Sequence, residues 1–280
     1  MTALAPQTTT TRPAPTTRLT FGGILRSEWI KLRSLRSTAW SYAIVIAISL
    51  GMALVMSLSM VSMSEGGGPV GTDQGASLLV QSSVFGVYFG QLVAGVLGVL
   101  IISGEYTTGM IRSTLTAVPK RLPALAAKAV VLFVATFVVG LIANLGAFLV
   151  SSIVFAGIDV SASLADPAAF LPLLGGALYL ALVSVFALGV GTMLRSSAGG
   201  IAAVLGLILL VPTVFAMIPA EWAGEVIPYL LSNAGMGIFT STSATPTDGE
   251  FGAWANLLIV LGWVAAAAIG GSVLLKRRDA

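Results

Sequence analysis

The sequence predicts an all-α integral membrane protein with six transmembrane helices, and three observations predict it. Only 9% of its residues are charged and the mean hydropathy is +0.99, whereas soluble domains carry about a quarter charged residues. A chain so poor in charge cannot clothe a globular surface with polar groups, so most of its solvent is lipid. Apolar runs of roughly 20 residues or more recur along it, each long enough at about 1.5 Å per residue to cross a ~30 Å hydrocarbon core. The charges are also segregated. All 14 Lys and Arg fall in the N-terminal segment, the stretch from Ser103 to Lys128, the turn at Arg195 or the C-terminal tail. The three remaining loops hold Glu65, Asp73, Asp159, Asp166, Glu221, Glu225, Asp248 and Glu250 and no base. Positive-inside bias therefore places both termini in the cytoplasm, in the cytoplasmic (inner) membrane.

Taken in order, residues 1–20 are rich in Thr, Pro and Ala and read as a disordered cytosolic tail. Residues 21–38 read as an amphipathic helix lying in the membrane plane. Phe21, Leu25, Trp29 and Leu32 step by four, four and three, with Ile24 and Leu35 beside them, and Arg26, Lys31, Arg33 and Arg36 flank that face. A positive flank that merely orients the first span is the plainer alternative. A six-span domain over 39–275 follows, closed by a basic tail over 276–280.

The first span runs from Trp40 to about Met63, with Met52, Met56 and Met60 as a stripe on one side. Methionine adapts to varied apolar surfaces, so the stripe either borders a substrate path or simply packs. The Gly-rich stretch Ser64–Ser77 reads as a loop, and Leu78–Ile102 as the second span. Gly86, Gly90, Ala94 and Gly98 recur every four residues there and form a seam for close helix packing. Leu125–Phe155, Phe170–Leu194, Ala198–Ile218 and Phe251–Leu275 are the third to sixth spans. Pro212 predicts a kink in the fifth. Val226–Phe239 is too apolar for a solvated loop and too short to span, so it reads as one or two short helices dipping into the outer leaflet.

The stretch Ser103–Lys128 organises the rest. Gly104 ends the apolar run before it, and Glu105 falls where a first helical turn favours a negative charge. Met110, Ile111, Leu115 and Val118 then recur at helical spacing until Pro119, and Pro123 predicts an extended entry to the third span. This reads as a short amphipathic helix across the cytoplasmic ends of two spans.

Several function classes are excluded. The chain contains no Cys and no His, which removes disulfides, thiolate sites, the usual zinc ligand and the usual general base. No Lys follows a Gly, so no P-loop is present. The spans read as free of acids and bases, which argues against a proton- or sodium-driven carrier. Their polar content is mild: Gln81, Tyr88, Gln91 and Asn144 each either touch a substrate or bond across helices. Nothing suggests nucleic-acid binding.

Three segments resemble the ABC-2 type permeases, the membrane subunits of one class of ATP-binding-cassette exporter. RSEWIKLRSLRST (Arg26–Thr38) is similar to the in-plane helix that leads these permeases into their first span. GEYTTGMIRSTLTAVPKR (Gly104–Arg121) resembles the family's loop between spans two and three, and IPYLLSNAG (Ile227–Gly235) the short outer helices before the sixth span. The resemblance implies a six-span subunit that pairs with a second permease subunit, more often a copy than a different chain. A separate ABC ATPase dimer would dock beneath and bind ATP and Mg, leaving no cofactor in this chain. The ATPase-coupling role would fall on Gly104, Glu105, Tyr106, Thr107, Thr108, Gly109 and Arg112. The docking surface would be completed by Arg26, Glu28, Trp29, Lys31 and Arg33. The implied function is export or flipping of an apolar or amphipathic compound. The alternatives are a non-transporting membrane sensor or anchor working with an ATPase, and a membrane-embedded lipid-modifying enzyme.

Overall fold

A computed structural model of the protein describes residues 20–67, 72–110, 122–240 and 251–277. Every element in these residues is helical, and six helical stretches are long and apolar enough to cross a membrane.

Helix α1 (Phe21–Ser34) is capped by Thr20, whose hydroxyl accepts from the Gly23 amide. A single extended residue, Leu35, separates it from the first long helix, α2 (Arg36–Gly67). The face of α1 that packs on the bundle is centred on Ile24, Glu28 and Leu32, while Phe21, Trp29 and Leu35 are exposed. The sequence-based face of Phe21, Leu25, Trp29 and Leu32 is therefore displaced around the helix. An acid occupies the middle of the packed stripe, where an apolar-pattern reading would not place one.

The stretch read as a Gly-rich loop is largely helical, since α2 continues through Gly67 and α3 (Thr72–Val84) begins soon after. The second span is consequently two helices in line, α3 and α4 (Val87–Thr107). At the join, Phe85, Tyr88 and Phe89 donate to carbonyls three residues back, so the chain tightens locally before the α-helical ladder resumes. Gly86 lies at this join against the backbone of Ser49 in α2, where a Cβ would overlap the Ser49 Cα.

Helix α4 also runs further than the apolar pattern suggests. It passes through Gly104 and Glu105 to Thr107 and is terminated by Gly109 in the left-handed conformation at φ 72°. Glu105 therefore sits in a last turn rather than a first one, the unfavourable end of the helix dipole for an acid. Only Met110 of the expected short amphipathic helix is described; its remainder, with Arg112 and Pro119, lies outside the described residues. The third span is α5 (Leu122–Phe155), and Pro123 lies inside its first turn, where a missing N–H leaves no bond unmade. No extended entry is needed.

Helix α6 (Pro167–Leu194) is the hub. Some 83% of its most apolar window is buried, against 17% for the fifth and sixth spans. It packs on α4, α5 and α11 (Ala253–Arg277). Small residues permit this: a Cβ on Gly98 would strike the Ser184 carbonyl oxygen, and one on Gly189 would strike the Ala267 backbone. The predicted seam is thus an intramolecular one, with Gly86 facing α2, and Gly90 and Gly98 facing α6.

The fifth span comprises α7 (Ser197–Leu205), one π-helical stretch Gly206–Leu210, and α8 (Val211–Ala216). Pro212 cannot donate to the helix ladder, and the wide turn lies immediately before it. The segment before the last span forms α9 (Glu221–Val226), a 3₁₀ turn Ile227–Tyr229, and α10 (Leu231–Thr240). Helix α10 packs on α6 and α11, with Gly235 pressed on the Tyr179 ring.

Candidate functional site

The ends of α4, α5 and α1 meet in a buried ionic cluster. Glu28 comes from the packed face of α1, Lys31 from its next turn, Glu105 from the last turn of α4 and Lys128 from the second turn of α5. Lys128 Nζ donates to Glu28 Oε2 at 2.5 Å and to Glu105 Oε1 at 2.8 Å. Lys31 Nζ donates to Glu28 Oε1 at 2.7 Å and to Glu105 Oε1 at 3.1 Å. Glu28, Glu105 and Lys128 retain 3%, 4% and 6% of their exposure, so these three are shielded from solvent and from salt, while the Lys31 side chain is part-exposed at 27%. Two carboxylates meet two ammoniums, so the three buried charges and the part-exposed Lys31 each face a charge of opposite sign. The same arrangement places two cations beside an acid at the C-terminal end of α4, offsetting its clash with the helix dipole.

Lys31 lies outside the spans. Burial pushes its pKa down, but the hydrogen bond to Glu28 and the charge of Glu105 outweigh that, and the net shift is upward from 10.5.

Next to the cluster lies a cavity of about 370 Å³. Glu28, Lys31, Glu105 and Lys128 line one side; Leu32, Leu100, Ile101 and Val131 give it an apolar wall. A second cavity of about 320 Å³, between α1, α2 and α5, is lined by Trp29, Arg33, Tyr42 and Val138 among others. Around the same end of the bundle, the Arg195 guanidinium lies 5.2 Å from the centre of the Tyr106 ring, and Ser197 donates to Ser103 at 2.9 Å. Arg195 is itself in the left-handed region at φ 53°, closing α6, and Ser196 caps α7 through the Gly199 amide. The α6–α7 turn is thereby fastened to the end of α4.

The residues expected to act in coupling are partly brought together. Glu105 is central; Gly104 lines the cavity with open space beside it; Tyr106 lies against Arg195. Thr107 and Thr108 return their hydroxyls to the Ser103 and Gly104 carbonyls, and Gly109 ends the helix. Of the residues placed on a docking surface, Arg26, Trp29 and Arg33 are exposed. Glu28 is not: it points into the bundle, where two lysines hold it. The reading of spans free of acids and bases also needs correction, since Glu105 and Lys128 lie on helices continuous with the second and third spans. Lys128 was missed as a site residue. Its signal is in the sequence, a single cation inside the apolar run LPALAAKAVVLF, a placement that demands a partner.

The residues suggested for a substrate path are dispersed. Met52, Met56 and Met60 are half-buried along α2, and Gln81 is exposed on α3. Gln91 accepts from the Tyr179 hydroxyl at 2.5 Å and donates to the Tyr88 carbonyl at 2.9 Å. Asn144 donates to the Leu173 carbonyl at 2.9 Å, tying α5 to α6. The last two side chains are thus engaged between helices. Among the described residues, no three of His, Cys, Asp or Glu gather as a metal site.

Six apolar helices around a small-residue hub define a multi-pass membrane protein. A family model described as ABC-2 family transporter protein matches residues 24–213, a span that includes all four members of the ionic cluster, and the chain belongs to that family. Comparison with curated proteins gives no match.

Proposed function

We propose that this chain is the membrane subunit of an ABC exporter, moving or flipping an apolar or amphipathic compound with ATP hydrolysed by a separate subunit. The observation that carries the reading is the ionic cluster. It ties α1, the end of α4 and the start of α5 into one unit, at the end of the bundle where the described basic residues gather. These 280 residues contain no P-loop, and in this reading ATP and Mg are held by the partner ATPase.

In this reading both termini are cytosolic and the protein sits in the cytoplasmic membrane. α1 lies in the membrane plane with Arg26, Trp29 and Arg33 outward. The ATPase dimer contacts that surface and the segment after Gly109, including Arg112. Closure of the ATPase on nucleotide pushes there. The charge cluster makes the push common to three helices. Because α4 meets α6 through bare glycine backbone, with little side-chain cushioning, its displacement is passed to the hub. The spans then exchange between two arrangements that open a path to either side. A second permease subunit, more often an identical copy, completes the path.

The test is reconstitution with the P-loop partner. The complex should hydrolyse ATP in response to cargo, and Glu105→Ala should leave hydrolysis but lose its coupling to transport. Full-speed movement of cargo by the isolated chain without nucleotide would end this reading.

A further inference from the structure

Helix α1 separates two cavities. Lys31, Ser34 and Met110 line the one beside the ionic cluster, whereas Trp29 and Arg33 line the other, of about 320 Å³ between α1, α2 and α5. The second is open along α5. Val134 and Val138 in its wall are each 47% exposed, and Val130 and Ile142, one turn to either side, are exposed as well. An apolar groove thus leads away from a rim at Arg33 along a helix long and apolar enough to cross the membrane. In a bilayer, such a groove is lined for an acyl chain.

The rim decides which lipid supplies it. Arg33 is exposed and has no ion pair or hydrogen bond among the described residues, and no acid lines the cavity. Glu28 and Glu105, the described acids at this end, are held by lysines. Residues 1–19 and 111–121, which lie outside the described residues, contain Arg12, Arg18, Arg112, Lys120 and Arg121 and no acid, and Asp279 follows three bases. The charge around Arg33 is therefore positive. A guanidinium matches a phosphate, to which it can present two parallel N–H donors. A zwitterionic head would also bring an ammonium to a rim that is already cationic. Trp29 in the rim and Trp40, one turn into α2, are exposed, and tryptophan is enriched at the depth of lipid headgroups. Anionic lipids are a feature of the cytoplasmic leaflet, the side to which the basic segments point.

We propose that this groove binds one anionic phospholipid, its phosphate on Arg33 and one acyl chain along Val134 and Val138. The cavity takes the glycerol region and the upper part of that chain, and the remainder lies in the bilayer. Arg33 has five N–H donors, so a phosphate along one edge leaves others for the docking surface assigned to the same side of α1. The ionic cluster ties α1 to α4 and α5 on one flank; the lipid fills the other. Binding needs neither nucleotide nor ATPase, so its failure and that of the transport reading are distinguishable.

The test is native mass spectrometry of the purified full chain in detergent, with two lipids of matched chains as probes. Dioctanoylphosphatidylglycerol should bind saturably, one per chain, and dioctanoylphosphatidylcholine about tenfold more weakly, the worth of one charge-assisted contact. Arg33→Gln should remove most of that preference. Val138→Trp fills the groove with every charge in place and should weaken both lipids about tenfold or more. Arg33→Gln, at an exposed position, decides the matter if Val138→Trp does not fold. Arg277→Gln removes an exposed base that does not line the groove and should leave binding unchanged. Equal binding of the two lipids, or binding that Arg33→Gln leaves intact, would overturn the proposal. So would an equal loss in Arg277→Gln, which would mean surface charge alone, and displacement by inorganic phosphate, which would mean a site for the ion alone. A chain dimer that excludes lipid and is lost in Val138→Trp would give the groove to a second copy instead.

Discussion

Lys128 reaches Glu105 across the gap between α5 and α4, Nζ to Oε1 at 2.8 Å, with both side chains buried. Removing one member strands the other. Glu105→Ala leaves Lys128 facing Glu28 alone and Lys31 without its link to α4. Losing one partner of a buried pair costs about 3–5 kcal/mol. The purified variant should melt well below the wild type, with the loss greatest at the α1 end when hydrogen exchange is followed by peptide.

Removing both members should hurt less than the two single changes imply. Glu105→Leu with Lys128→Met takes away one acid and one base together, and the pair Glu28–Lys31 at 2.7 Å remains neutral. The double variant should be more stable than additivity predicts by at least about 1 kcal/mol, the coupling expected of residues in one ion network. Strict additivity would show that the four charges do not act as a unit.

Lys31 gives the cluster a pH signature. Its pKa in the folded protein is raised from 10.5. A raised folded-state value means the stabilisation is fully present below the ordinary lysine pKa and is lost as pH climbs through the folded value. The difference in melting temperature between wild type and Lys31→Met should thus stay level from about pH 6 to about pH 9. It should shrink only beyond about pH 10.4, the unperturbed lysine value. A difference that vanished near neutrality would contradict the geometry.

How much of this was legible in the sequence differs between the membrane interior and its edge. The six long helices follow from apolar runs, because length and hydropathy alone determine what crosses lipid. Their ends depend on tertiary contacts. Gly104 looks like a stop, yet α4 continues because Lys31 and Lys128 make an acid tolerable in its last turn. Glu28 looks like part of a solvated face, and only a lysine from a helix 100 residues away draws it inward. The break after Val84 lies at the close approach of Gly86 to Ser49, a contact no periodicity encodes. The seam every four residues was visible as a pattern, but which helices it would meet was not.

The glycines separate by environment. Gly98→Ala places a methyl against the Ser184 carbonyl and the Ala187 side chain, so α4 and α6 must part. Overpacking of this kind costs about 1–3 kcal/mol or more, and the variant should show reduced yield and a lower melting temperature. Gly104→Ala meets nothing within 4 Å and lies in a helix. It should be neutral or stabilise by up to about 1 kcal/mol, the helix-propensity difference. Reversal of that order would mean that the α4–α6 contact is looser than the structure has it.

The proposed orientation can be read directly, because the native chain contains no cysteine and any introduced one is a unique label. Asp159→Cys and Glu225→Cys lie in acidic connections, one after α5 and one in α9, and both residues are exposed. Ser37→Cys sits at the start of α2 near Arg36, and Arg277→Cys at the end of α11; both are exposed at the basic end. With a membrane-impermeant maleimide on intact cells, the first two should label and the last two should label only after the membrane is opened. None of the four touches the ionic cluster, so labelling reports side rather than damage. Charge segregation sets the direction: a basic end held in the cytosol agrees with the positive-inside bias, and the acidic loops tolerate export. Labelling of Ser37→Cys from outside would turn the bundle over and remove α1 from the reach of any cytosolic ATPase, taking the coupling scheme with it.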